Sequence, residues 1–296
     1  MSGSLVFVST TFMPDDTPIG EAIAACVSNG LRSLELGSNH AHESDPVSVV
    51  SRHDLRCLVH NYFPAPAQSF VVNLASPDED IRQRSREHVA RSLEYCRRIG
   101  ALLYTVHPGF LADPSGPSRG TGNYDFIFEG ASGGYEMAYG YMLESLTWAA
   151  DLAARLGVRL AIETEGSRAQ SHRLLLQRPE EFERFFERFT PDAIGINLNI
   201  GHLRLASEAF HFPPTAVVDT VADYVVAMEL SHNDGVSDDH RPLQAGAWYW
   251  DVIADPRLAS AYRILEFRNV PVSDVVANAA LLTEQLAVRR PAAPTT

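Results

Sequence analysis

LGVRLAIETEG, Leu156–Gly166, is the stretch on which the reading of the fold turns. Gly157 stops a helix, since glycine alone takes a left-handed backbone at the C′ position without penalty. The apolar run that follows, Val158–Ile162, is too short for a helix and reads as a strand; it closes on a carboxylate, Glu163. A carboxylate at the end of a buried strand is expensive unless paired or coordinated, so Glu163 marks chemistry more readily than packing. The same device recurs along the chain. RILEF ends a strand on Glu266, LVHNY carries His60, LYTVHPG carries His107, and INLNIGH carries His202. MELSHND carries His232, and DDH carries Asp238 and His240. One such residue proves little, but a run of them converges His and carboxylate side chains on one metal-binding mouth.

Working outward, strands alternate with helices. The expected strands are Leu5–Thr10, Arg32–Leu36, Leu55–Asn61, Ala101–His107, Val158–Glu163, Ala193–Leu198, Val225–His232 and Tyr262–Glu266. Between them, helices are expected at Gly20–Ser28, from Ser76 to about Arg98, and at Tyr135–Leu156, Pro179–Arg188 and Val272–Val288. Ser76 reads as the N-cap of the second, with Pro77 at N1 and Glu79 as capping-box partner, and Gly100 stops it. This alternation defines an α/β protein, a single-domain (β/α)₈ barrel over residues 1–288, with Arg289–Thr296 as a disordered tail. An open doubly wound sheet needs a glycine-rich turn after the first strand, and TTFMPDDTP has none. Pro108–Gly134, rich in Gly, Pro and Ser, is too long for a routine connection and reads as a lid.

Composition narrows the chemistry. With 296 residues, 45% hydrophobic and 21% charged, the chain has the make-up of an ordinary core-bearing protein. Apolar runs fall short of the roughly 18–20 residues that cross a bilayer, and MSGSLVFVSTTF lacks the basic start of a signal peptide. The expectation is a cytoplasmic protein without membrane association. Cys26, Cys57 and Cys96 are odd in number and widely spaced, which suits buried thiols. Every fixed cation is arginine; the absence of lysine removes Schiff-base chemistry and the P-loop lysine. A net charge of −13 opposes attraction to phosphate backbones, so nucleic acid is not the expected partner.

Each marked residue has a plainer reading. Glu163 and Glu266 can be structural ion pairs, His232 a hydrogen-bonding loop histidine, and His107 or His60 a strand edge. Asp238 and His240, one residue apart, point the same way on extended backbone, or belong to a solvated acidic loop. His40 and His42, in SNHAHE after the strand-end Glu35, read as substrate contacts or, more plainly, as a surface loop, and His53, His88, His172 and His211 take no functional role.

VHNYFP…FVVNLASPDEDIRQRS, LLYTVHPGF, IETEG, NIGH, LSHNDG…DDHRPLQAG and ILEF together resemble the xylose isomerase-like TIM-barrel superfamily. The resemblance runs from the second strand to the eighth, and points to the sugar phosphate isomerase/epimerase members and the endonuclease IV family. It implies a central divalent metal (Mn, Zn, Mg or Co) held by Glu163, Asn199, His232 and Glu266. It also implies further ligands of the endonuclease IV kind at His60, His107, His202, Asp238 and His240. Asn199 stands where the family carries Asp, one carboxylate fewer for a divalent ion.

Two chemistries follow from the resemblance. In an isomerase or epimerase of a sugar, sugar phosphate or sugar-derived molecule, the ion stabilises an enediolate while Glu163 and Glu266 move the proton. His107, His202, Arg241 and Arg268 then contact the substrate, the arginines through a phosphate or carboxylate. In an endonuclease IV-like zinc phosphodiesterase, metal-activated water attacks phosphorus; the acidic balance weighs against the basic footprint that DNA requires. A redirected barrel with an impaired metal site is the third outcome. The sequence leaves the oligomeric state open, a homo-oligomer included.

Overall fold

The apolar runs become strands, and the strands close. In the computed structural model, residues 5–117, 126–128, 134–168 and 174–289 are described. In chain order the strands are β1 (Val6–Ser9), β2 (Ser33–Leu36), β3 (Arg56–His60), β4 (Tyr104–Val106), β5 (Pro114–Pro117) and β6 (Phe126–Phe128). They continue with β7 (Leu160–Glu163), β8 (Gly195–Asn199), β9 (Val225–Leu230) and β10 (Tyr262–Leu265). All but β5 and β6 pair in parallel into a closed barrel, ordered β1-β10-β9-β8-β7-β4-β3-β2. This is the (β/α)₈ barrel that the alternation requires. β5 and β6 form a separate antiparallel ribbon in the segment expected to be a lid. Residues 118–125 and 129–133 of that segment, and 290–296 of the expected tail, lie outside the described residues.

The helices are α1 (Ile19–Ser28), α2 (Pro46–Ser51), α3 (Glu79–Ile99), α4 (Tyr135–Leu156), α5 (Pro179–Phe186), α6 (Ile200–Phe210), α7 (Pro214–Val221), α8 (Trp250–Ile253) and α9 (Val272–Arg289). The start of α3 differs from expectation. Asp78, not Ser76, is its N-cap and accepts from the amides of Asp80 at 2.8 Å and Ile81 at 3.3 Å. Ser76 instead accepts from the Asp78 amide at 3.0 Å and donates to Asp113 at 2.7 Å, tying the approach to the loop after β4. Gly100 and Gly157 end α3 and α4 in the left-handed region, at φ 67° and 68°.

Side-chain parity divides each barrel strand between two environments, because alternate residues of a strand share a face. Leu36, Val59, Val106, Ile162, Leu198, Leu230 and Leu265 belong to the main core, with the helix residues Leu93, Leu146, Phe182 and Val218. Phe7, Leu58, Leu103, Ala161, Ala227 and Ile264 form a separate apolar cluster drawn from six strands. Residues from strands on all sides meet only inside the barrel, so this cluster is its floor. Two residues further along those six strands stand Ser9, His60, Thr105, Glu163, Glu229 and Glu266, all buried. The barrel interior is therefore apolar below and densely polar above.

Cys26, Cys57 and Cys96 are free and buried, as expected. His40 is a correction: it is buried, with Nε2 at 2.7 Å from Thr10 Oγ1 and Nδ1 donating to Thr17 O at 2.9 Å. It ties the loop after β2 to the end of β1.

Candidate metal centre

The last residue of β3 and the loop after β4 bring two imidazoles onto one oxygen. His60 Nε2 lies 2.8 Å and His107 Nε2 3.3 Å from Glu163 Oε2, at the end of β7. The opposite ring nitrogens are held in turn: Ser38 Oγ is 3.1 Å from His60 Nδ1, and Glu165 Oε1 is 2.6 Å from His107 Nδ1. Such partners fix the tautomer and aim of a metal-ligating imidazole.

A second trio repeats the pattern. Asp238 Oδ2 lies 2.8 Å from His240 Nε2 and 3.3 Å from His202 Nε2. His202 Nδ1 donates to Thr164 O at 2.8 Å, which aims Nε2 at Asp238. His240 Nδ1 faces Glu266 Oε2 at 3.1 Å. Asp238 Oδ1 is buried without a hydrogen-bond partner. In each trio the donor atoms lie within 4.8 Å of one another. The trios adjoin, since His202 Nδ1 is 3.2 Å from Glu163 Oε1. Two imidazole nitrogens and a carboxylate oxygen are a donor set for a divalent transition ion, with positions left for substrate or water, so the residues fit a metal.

Among the residues singled out from the sequence, His60, His107, Glu163, His202, Asp238, His240 and Glu266 meet at this mouth, and Arg268 joins them with Nη2 3.9 Å from Glu266 Oε1. Asn199 is present but differently employed. Its Oδ1 caps α6 by accepting from the His202 amide at 3.1 Å, and its Nδ2 donates to both Glu163 and Glu229 at 2.9 Å. The oxygen that would serve an ion is thus turned to a helix. His232 is not brought to the mouth. It follows Glu229 by three residues and so has the opposite parity; its backbone pairs with Arg241, and its Nδ1 lies 3.5 Å from Tyr249 Oη. Arg241 is also elsewhere, paired with Asp239 at 3.1 Å and Asp234 at 3.6 Å.

The sequence reading passes over Glu165 and Glu229 and gives Glu35 only as a neighbour of the His40–His42 loop. Glu165 holds His107, while Glu35 on β2 and Glu229 on β9 are fully buried inside the barrel. VVAMEL carries the same signal as LAIE, an acid in an apolar strand, but one residue before the strand ends.

The charges are tightly interlocked. Burial pushes Glu163 up, yet His107, His202 and His60 hold it well below the usual carboxylate range. Burial pushes His60 down, yet Glu163 raises it to about 9. Against burial, His240 is likewise raised to about 9 by Asp238 and Glu266. Against burial too, Glu266 is held down to about 2 by His240 and Arg268. Glu229 moves the other way: burial, then Glu163, Glu266 and Glu35, drive it well above the carboxylate range.

Both trios open on one cavity of about 990 Å³, walled further out by Tyr62, Phe70, Arg84 and Arg168. Arg84 stacks over Phe70, its guanidinium carbon 4.1 Å from the ring centre. The size suits a small polar molecule with an anionic group.

A parallel barrel whose strand ends gather histidines and carboxylates around one cavity defines the class: a barrel with a metal-binding kind of mouth. The chain belongs to the xylose isomerase-like TIM barrel family, whose model matches residues 23–269. A probable endonuclease 4 of Thermotoga petrophila is 45% identical over 40 residues, 14% of this chain and 14% of that protein. Among solved structures, a D-tagatose 3-epimerase-like protein superposes with a TM-score of 0.72 at 16% identity, covering 96% of this chain and 97% of that one. Endonuclease IV from Thermus thermophilus gives 0.59 at 18% identity, covering 96% and 99%. At those identities the superpositions show the fold. No described helix is long and apolar enough to cross a membrane.

Proposed function

We propose that the protein is a divalent-metal-dependent isomerase or epimerase acting on a sugar, sugar phosphate or sugar-derived molecule. The observation that carries this reading is that Glu163 and Glu266, at the ends of β7 and β10 three places apart round the barrel, line the same small-molecule-sized cavity with both carboxylates held ionised. An ion bound by the mouth residues would supply positive charge to a carbonyl and its neighbouring hydroxyl and so acidify the C–H between them. Glu266, oriented by His240 and Arg268, and Glu163, held by His60 and His107, act as the acid/base pair, one taking that proton and the other returning one. His60, His107, His202 and His240 hold the metal side of the mouth, and Arg268 with Arg84 and Arg168 offers cations to an anionic substituent. The test is carbon-bound hydrogen exchange in D₂O across a panel of ketoses and their phosphates. Wild-type protein loaded with Mn²⁺ or Zn²⁺ exchanges the proton, and Glu266→Gln loses it by at least ~10²-fold; no exchange with any member of the panel counts against the proposal.

One observation favours a second reading. The two trios are separate and adjoining, an arrangement that suits two ions and a water-derived nucleophile at phosphorus. Release of phosphate or strand scission at an abasic site, without exchange at carbon, selects it.

A further inference from the structure

Inside the barrel lies a third set of donors, which shares His60 with the first trio and adds two carboxylates that neither trio uses. One atom each from Glu35 on β2, His60 on β3 and Glu229 on β9 falls within 4.8 Å of the others, and all three residues are buried. His60 Nε2 stands 3.6 Å from Glu229 Oε1 and 2.8 Å from Glu163 Oε2. Donors sharing a tetrahedral ion at bond lengths near 2.1 Å sit roughly 3.4 Å apart, a separation that these two bracket. Both oxygens of Glu35 are buried with no hydrogen-bond partner, the costliest condition a carboxylate can be left in. Glu229 is aimed by amides: Asn197 Nδ2 donates to Oε1 at 2.7 Å and Asn199 Nδ2 to Oε2 at 2.9 Å, leaving a lone pair on each oxygen.

The same residues account for what the mouth lacks. Asn199 brings no charge and turns its oxygen to α6, and His232 faces Tyr249. Glu35 and Glu229, both fully buried, bring two carboxylates inside the barrel instead.

We propose that Glu35 and Glu229 are metal ligands, completing with His60 and Glu163 a divalent-cation site inside the barrel, one layer deeper than His107. The proposal rests on the mouth being a metal centre. His60 offers a single Nε2 lone pair, so an ion here excludes one shared with His107. The first ion sits deep, and the second stays with His202, Asp238 and His240.

The test is metal binding, followed by calorimetric titration of Mn²⁺ and Zn²⁺ into chelator-treated protein and by the thermal shift each ion produces. Wild-type protein binds two ions. Glu229→Gln and Glu35→Gln weaken one of them at least tenfold and shrink the thermal shift. Metal-free, Glu35→Gln melts no lower than wild type, because it removes a buried charge among acids, whereas Glu229→Gln sets its amide nitrogen against an asparagine donor and is judged by its lost affinity alone. Wild-type affinity and stoichiometry in both variants overturn the inference while leaving the mouth reading intact; no divalent binding by wild type overturns both. Anomalous diffraction from Mn²⁺-loaded wild-type crystals decides independently of the variants. A peak at about 2.1 Å from a Glu229 oxygen supports the deep site, and one on His107 Nε2 out of reach of Glu229 contradicts it.

Discussion

Asn199 shows how one atom redirects a site. An aspartate there would set a third carboxylate against Glu163 and Glu229, both 2.9 Å from the present amide nitrogen. Asn199→Asp is therefore expected to destabilise the metal-free protein by about 1–3 kcal/mol and to enlarge the thermal shift on adding Mn²⁺ or Zn²⁺. A metal-free variant as stable as wild type would contradict the bridging role. The histidines set a pH dependence. His60 and His240, raised from 6.5 to about 9, favour folding while they are protonated. Their contribution is complete below pH 6.5 and is lost as pH rises through 9, so urea midpoints of the metal-free protein should fall across that window. Metal must displace those protons, so its affinity rises over the same range, checked by titration in buffers of different ionisation enthalpy. Glu266, held down to about 2, contributes above pH 4.5 and loses its contribution as acid carries the pH through 2. Residue-level legibility follows a simple physical line. Acids and histidines that close a strand are legible because burial makes them anomalous, whereas Glu229 sits inside its strand and passes as part of the run, and Glu35 is legible only as a neighbour of the His40–His42 loop. His232 misleads because closing a run does not fix parity.

At the scale of elements, strands are the most legible. Both of their faces are buried, one under helices and one in the barrel, so they read as continuous apolar runs. The helices that escape such a reading share a cause. NIGH looks like a ligand motif, yet Asn199 is the N-cap of α6, and α7 begins on Pro214, whose missing amide costs nothing in a first turn. The start of α3 turns on which of two capping residues wins. Asp78 takes both free amides, so Asp78→Ala should lower stability by about 1 kcal/mol in urea melts. An unchanged midpoint would return the cap to Ser76.

In the molecule as a whole, function follows from how eight strands share one interior. A floor of Phe7, Leu58, Leu103, Ala161, Ala227 and Ile264 closes the barrel below, and the next inward layer is polar on every one of those strands. That layer cannot be a packing core, since Glu35, Glu163, Glu229 and Glu266 are all buried among one another. Cations reconcile it: imidazoliums in the metal-free protein and, on the proposed function, divalent ions in the working one. The fold and most of the mouth can be read from strand ends, but the depth of the site depends on parity across neighbouring strands, which becomes visible only on closure. The most direct check is elemental analysis by plasma mass spectrometry on protein loaded with Zn²⁺ and freed of loose ion. Two ions per chain are expected, falling to one in His202→Ala. Protein that remains without bound divalent metal under saturating loading would contradict the account.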